Sequence, residues 1–448
     1  MARANRKKQV VLLVFPGVSL LELVGAHYTW SVAGMLASFE TVVASPNTDF
    51  IPSSTPLSFR PEKAFAEAPD PDIFIVVGGF EAALRAAEDP ALLDYVRHAA
   101  QRAAIVASTG TGSLILAAAG LLDGKQATTH WAFRQQLEGM GARYRRQPWV
   151  EDGRFITGAG SSSAVDMSLM LIDRLSSEKI AKQVQIGAEW DPAPPFGGID
   201  WTKVNGRASG RAPGDSREPV NEIALVIYDG LTVFDLAGPL ELLSALSRIR
   251  PDFQPVVVAE RVEPLTSDDG LTFMPNRRFA ELPAPHALVV PGGGRPTLRA
   301  MSNPAIRDYI RSANETTTYT ASVCTGALLL ASTGMLAGRE ATTHWAYERY
   351  LPAYGARYVR ERWVASGKIV NSAGVSAGID MALYLIAQLV DEETARQVQR
   401  ATHYDPAPPF GGIDYDRLPV LLRALRTLTS LQVPLYVRKP RQLLRQGL

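Results

Sequence analysis

Ala107–Trp131 reads ASTGTGSLILAAAGLLDGKQATTHW, and Ala321–Trp345 reads ASVCTGALLLASTGMLAGREATTHW. The two stretches match at 15 of 25 positions, 214 residues apart, and DPAPPFGGID recurs at 191–200 and 405–414 with the same displacement. Solenoid repeats have periods of about 20–50 residues, so this period means two whole domains. Closer to the N-terminus the displacement is 213, where Val10–Phe15 answers to Ile223–Tyr228. Between the copies, NGRASGRAPGDSRE at 205–218 is rich in Gly, Ser, Pro and charge and has no apolar periodicity. It reads as a linker. The expected domains are therefore 1–204 and 219–448.

Within the second copy, the apolar runs 223–228, 256–259 and 287–290 read as buried strands. Leu231–Leu246, Pro304–Ala313, Thr325–Ser332 and Val375–Val390 have helical spacing. This alternation predicts an α/β fold in each copy, a mainly parallel sheet with helices on both faces. In such sheets, ligands sit beyond the carboxyl ends of the strands.

The chain has 448 residues, 46% of them hydrophobic and 20% charged, enough for each half to bury a core of its own. Forty-six Lys and Arg against 45 Asp and Glu give a net charge of +1, which argues against a nucleic-acid-binding surface spread over the molecule. The single cysteine, Cys324, excludes an internal disulfide and a cysteine-based zinc cluster, and no metal is expected. A reducing, cytoplasmic setting fits that count. The basic start MARANRKKQ precedes only the six-residue apolar run VVLLVF, which reads as the first core strand rather than a signal peptide. No 18-residue apolar run suggests a membrane span.

Four features converge in the second copy. The β-prone run Thr318–Val323 ends at Cys324, and the small-residue helix TGALLL follows at once. A side chain on such a turn points into the cleft, and the helix start favours a thiolate. The competing reading is a buried structural cysteine. Pro291-Gly292-Gly293-Gly294 follows the strand 287–290, and its backbone N–H groups, with that of Thr325, suit an oxyanion hole. Asp235 is an acid among apolar residues near a helix start, where burial raises its pKa and prepares it for proton transfer, although a helix-capping role is the plainer reading. His344 follows Cys324 by twenty residues and has the chemistry to pair with a thiolate. A packed histidine is its rival reading, because His130 holds the same place in a copy without the cysteine.

Together these features resemble the ThiJ/PfpI superfamily, with its flavodoxin-like, class I glutamine-amidotransferase-like fold. That family sets a cysteine on a nucleophile elbow, an acid five residues after a glycine near the N-terminus, and a Gly-Gly turn after a central strand. Gly230 with Asp235, Pro291-Gly292-Gly293 and Ser322-Val323-Cys324-Thr325-Gly326 match these elements. GMLAGREATTHW, SAGVSAGIDMAL and QVQRATHYDPAPPF narrow the likeness to isonitrile hydratases, which convert an isonitrile and water to an N-substituted formamide. That likeness implies a small-molecule substrate, no cofactor, and roles for Cys324, Asp235 and Thr325. Proteases of the superfamily carry a histidine after the cysteine; Thr325 stands there instead. Glyoxal or aldehyde chemistry through a hemithioacetal needs the same thiol and acid. The elbow and TTHW stretches also resemble sensor domains of AraC-type regulators, where an elbow cysteine suits a ligand or redox sensor. After DPAPPFGGID only Tyr415–Leu448 follows, too short for a pair of helix-turn-helix motifs, and Pro434 and Pro440 break a recognition helix. That basic tail reads as a packing helix and an extended end.

The first copy departs at the decisive place. Gly110 stands opposite Cys324, Glu22 opposite Asp235, Gly78-Gly79-Phe80 opposite Gly292-Gly293-Gly294, and His130 opposite His344. This copy keeps the scaffold and an acid without the thiol. Thr109 or Thr111 offers a hydroxyl in its place, but the sequence shows no base beside either. Many members of the superfamily are homodimers, so the resemblance implies that the fused copies form an intramolecular pseudo-dimer, with the DPAPPF loops helping the contact and further homo-oligomerisation left open.

Overall fold

The computed structural model describes residues 6–202, 204 and 220–418. The linker 205–218 and the basic tail after Leu418, including Arg423, Arg426, Arg438, Lys439, Arg441 and Arg445, lie outside the described residues.

Each copy builds its own seven-stranded sheet. In the first, the strands are β1 (Lys8–Leu13), β2 (Phe39–Ser45), β3 (Lys63–Ala64), β4 (Ile73–Val76), β5 (Ile105–Ser108), β6 (Trp149–Asp152) and β7 (Phe155–Gly158). Their order is β6-β7-β5-β4-β1-β2-β3. In the second, they are β8 (Asn221–Val226), β9 (Phe253–Ala259), β10 (Arg277–Arg278), β11 (Ala287–Val290), β12 (Tyr319–Val323), β13 (Trp363–Ser366) and β14 (Ile369–Ser372). Their order is β10-β9-β8-β11-β12-β14-β13, the same topology as in the first sheet. All pairs are parallel except the terminal hairpins β6–β7 and β13–β14. The central strands ALVV and IFIV are buried along their whole length, as expected of strands covered on both faces.

The chain divides into two compact units, Met1–Ala212 with Asp391–Gly412, and Pro213–Val390 with Ile413–Leu448. Residues 391–412 carry the second copy's DPAPPF motif, yet they belong to the first unit. There, Asp405 of that motif accepts from Trp201 Nε1 at 2.7 Å, and Ala407 N donates to Asp166 Oδ2 at 2.8 Å. The Trp201 indole also meets the His403 ring, 4.7 Å between centroids.

The helices that matter for the site are α1 (Leu20–Leu36), α2 (Gly112–Ala118) and α3 (Ser163–Leu175) in the first unit. In the second, α4 (Val233–Ile249) answers to α1; α5 (Arg295–Ala300) follows the Gly turn; α6 (Gly326–Ser332) answers to α2 and α7 (Val375–Leu389) to α3. The sequence placed the first helix of the second copy at Leu231 and the elbow helix at Thr325. Each starts one or two residues later, because Thr232 and Thr325 take the N-cap positions. Close packing locks α7 against both the acid and the elbow. A Cβ on Gly238 would lie 2.4 Å from Ile379 Cγ1, and one on Gly378 would lie 2.5 Å from Val323 Cγ1. Three neighbouring central strands, β8, β11 and β12, thus aim their carboxyl ends at one place.

Candidate active site

The Val323–Cys324 step ends β12, and Cys324 takes φ +57°, a left-handed conformation that residues with a Cβ rarely adopt. Holding it there costs about 1–3 kcal/mol and needs support from the surroundings. Cys324 N donates to Ser372 O at 3.0 Å, and Thr343 Oγ1 donates to Cys324 O at 2.9 Å. The sharp turn sets the thiol beside α4 rather than in the sheet.

Asp235 lies in the first turn of α4 and is fully buried. Burial dominates its chemistry and pushes its pKa up to about 8, with the nearby charge of Asp268 adding to the rise. The Cys324 thiol and the Gly292 backbone lie against it and pull the other way. Neither carboxyl oxygen closes a hydrogen bond of normal geometry among the described residues. Asp268 accepts from Thr232 Oγ1 at 2.6 Å. At neutral pH, Asp235 is therefore mostly a protonated acid beside a thiol, able to give a proton and take it back.

The Gly turn stands over this pair. Thr232 N donates to Gly292 O at 2.9 Å, tying the turn to the acid's helix. A Cβ on Gly292 would lie 2.7 Å from both Thr325 N and Thr325 Oγ1 and 2.8 Å from Asp235 Oδ2. Gly292→Ala should therefore displace Thr325 or Asp235. We expect at least a tenfold loss of thiol-dependent turnover and about 1–3 kcal/mol of lost stability, read by kinetics and thermal melts.

Two sequence expectations change here. The Gly293 N–H was expected to serve an oxyanion; instead it donates to Thr325 Oγ1 at 3.0 Å, as does Gly294 N at 3.0 Å. The Thr325 N–H has no hydrogen-bond partner among the described residues. His344 was expected to pair with the thiolate. Its Nδ1 accepts from Ala346 N at 3.1 Å, capping the helix Trp345–Tyr354, and its ring lies 5.3 Å from that of Trp345. Although the ring keeps some exposure, the protein packed around it holds its pKa below the histidine range. A neutral imidazole engaged in a cap is no ion-pair partner, and Thr343 joins the TTHW stretch to the elbow through its bond to Cys324 O.

The matching site in the first unit has no thiol, and its space is filled. Gly110 adopts φ +45°, so the elbow survives without the cysteine. Glu22, one methylene longer than Asp235, fills the space: a Cβ on Gly110 would lie 2.3 Å from Glu22 Oε1. Thr109 Oγ1 donates to Glu22 Oε2 at 2.7 Å, and Gly78 N donates to the same oxygen at 3.0 Å. The base that the sequence did not reveal beside Thr109 is thus Glu22. Phe80, at φ +51°, lays its ring 5.4 Å from that of His130, where the second copy has Gly294. Burial pushes His130 down to about 4, and its Nε2 bonds Ala401 O at 3.0 Å. We expect Gly110→Cys alone to lower the melting temperature by several degrees, and Glu22→Asp added to it to recover most of the loss. Thermal melts of the two variants check this, and Glu22→Gln should leave second-copy turnover unchanged.

The DJ-1/PfpI family model matches residues 8–174 and again 221–388. The chain belongs to the DJ-1/PfpI family. It is 39% identical to an isonitrile hydratase of Pseudomonas putida over 44% of this chain and 85% of that protein. It is 32% identical to the HTH-type transcriptional regulator CdhR of Pseudomonas aeruginosa, over 38% of this chain and 52% of the regulator. A ThiJ/PfpI family protein from Pseudomonas syringae, known from its crystal structure, is 30% identical, with TM-score 0.45, over 52% of this chain and 96% of that one. No helix of the described residues is long and apolar enough to cross a membrane.

The sequence reading missed Tyr228, Thr297, Thr343 and Asp268 as parts of the site. The first two carried a usable signal: Tyr228 stands opposite Phe15 and Thr297 opposite Ala83, polar only in the copy that keeps the cysteine.

Proposed function

We propose that the second copy hydrates isonitriles to N-substituted formamides, with Cys324 as nucleophile and Asp235 as general acid and base. The observation that carries the reading is the fully buried carboxyl of Asp235 set against a left-handed elbow cysteine, where burial raises its pKa. The 39% identity to an isonitrile hydratase supports the choice of substrate.

In this mechanism, the carbon of R–N≡C takes a proton from Asp235 while the Cys324 sulfur bonds to it. The thiol proton returns to the carboxylate, leaving the thioimidate R–N=CH–S–Cys324. Asp235 then helps water add to that carbon, the nitrogen gains a proton, and the C–S bond breaks. The products are R–NH–CHO and the free thiol, so isonitrile and water are the only reactants consumed. In this reading, the Thr325 N–H steadies the developing charge. The mechanism needs neither metal nor cofactor.

Turnover of a panel of small isonitriles, followed by methylglyoxal, tests the reading. Formamide release supports it, whereas methylglyoxal turnover alone would replace it with hemithioacetal chemistry. No turnover of either, with stoichiometric ligand binding or oxidation at Cys324, would make the site a sensor. The copy with Gly110 is proposed to serve as scaffold in a fused pseudo-dimer.

A further inference from the structure

A chain of hydroxyls runs behind the Gly turn, and its proton directions are fixed by chemistry. Tyr228 Oη lies 3.0 Å from Pro291 O, and a carbonyl only accepts, so the phenol proton goes there. Tyr228 Oη is also 2.9 Å from Thr297 Oγ1, so Thr297 must donate to it. Thr297 Oγ1 is 2.8 Å from Thr325 Oγ1, so the Thr325 proton points to Thr297. Both remaining acceptor positions on Thr325 Oγ1 then face the N–H groups of Gly293 and Gly294, each at 3.0 Å. Each of the three hydroxyl protons is used once, in one direction, in a buried setting where an unmade bond is costly.

The other copy serves as an internal comparison. It keeps the threonine, and Thr111 Oγ1 accepts from Gly79 N at 2.9 Å. However, Phe15 and Ala83 stand where the chain of hydroxyls would continue. The relay is present with the cysteine and absent without it, although the turn itself is common to both copies.

We infer that Tyr228 and Thr297 are positioning residues, which hold the Thr325 hydroxyl as a double acceptor and so fix the Gly292–Gly294 turn over Cys324 and Asp235. The relay makes Thr325 act through its main-chain N–H, because its hydroxyl proton is committed away from the thiol. It also fixes the Gly292 carbonyl, to which Thr232 N is bound, and thereby couples the turn to the acid's helix.

The activity half of the inference rests on the isonitrile reading; the conformational half does not. Three full-length variants separate them: Thr297→Val, which keeps shape and loses the hydroxyl, Thr297→Ser, which restores it, and Tyr228→Phe. Amide hydrogen exchange at Gly293 and Gly294 should speed up at least tenfold in Thr297→Val and Tyr228→Phe, and return to within about threefold of wild type in Thr297→Ser. With an isonitrile that wild type turns over, kcat should fall ten- to a hundredfold in the first two, with KM within about twofold, and recover in the serine variant. If Thr297→Val fails to fold, Tyr228→Phe carries the test. Wild-type exchange rates at both glycines in the variants overturn the relay, whatever the substrate proves to be. Faster exchange with unchanged kcat overturns its positioning role. Absence of isonitrile turnover in wild type overturns the functional reading alone, and the exchange data still decide the relay.

Discussion

Cys324→Ala should abolish turnover, with a loss on the order of 10⁴-fold or more, while the fold stays intact. The proposed thioimidate has no other nucleophile to form on, because Cys324 is the only cysteine and the Thr325 hydroxyl is spent on Thr297 and two amides. Alanine keeps the Cβ, so the strain at φ +57° remains and the melting temperature should barely move. Cys324→Gly should be equally inactive but more stable by about 1 kcal/mol, because glycine adopts this conformation freely. Gly110 shows that state already at φ +45° in the other copy. Steady-state kinetics and thermal melts of the two variants at matched folded concentration check both claims. An alanine variant that retains a tenth of wild-type activity would place the working site elsewhere.

That comparison shows how much the sequence could say. The fold was legible because duplication prints every element twice, and because strands covered on both faces must be apolar throughout. Cys324, Asp235 and the Gly turn were legible because each breaks a local rule: a cysteine between strand and helix, an acid among apolar residues, three consecutive glycines. Their partners were not, since Tyr228, Thr297 and Thr343 look like ordinary buried residues until β8, β11 and β12 bring them together. His344 misled for the converse reason. Its residue type suggests catalysis, but the packing around TTHW makes it a helix cap. The membership of residues 391–412 in the first unit was hidden as well, because a repeat reports ancestry and not which core a segment joins. In the first copy, the extra methylene of Glu22 was visible in the sequence, but its meaning was not. Only the 2.3 Å approach to a Cβ on Gly110 shows that the longer acid and the lost thiol compensate in volume.

Asp235→Asn should lower turnover and raise stability, in opposite directions from one substitution. Removing the proton donor and acceptor is expected to cost about 10²–10⁴-fold in kcat. The stability effect follows from linkage. In the unfolded chain this carboxyl ionises near its ordinary value of 3.8, whereas in the folded protein burial holds the proton until about pH 8. Between those values the unfolded state binds fewer protons than the folded one, so stability falls as pH rises across the window. Each pKa unit is worth about 1.4 kcal/mol, so the penalty reaches a few kcal/mol near neutral pH. Asparagine cannot ionise and escapes it. The gap in melting temperature between variant and wild type should therefore be small at pH 4 and widen in favour of the variant up to about pH 8. The same titration sets the activity profile: a first step that needs the protonated acid should weaken as wild type is taken above about pH 8. Melts from pH 4 to 9, beside kcat over the stable range, check both limbs. A gap that stays constant with pH would mean that Asp235 is ionised in the folded protein, and the acid role assigned to it would fall with that result.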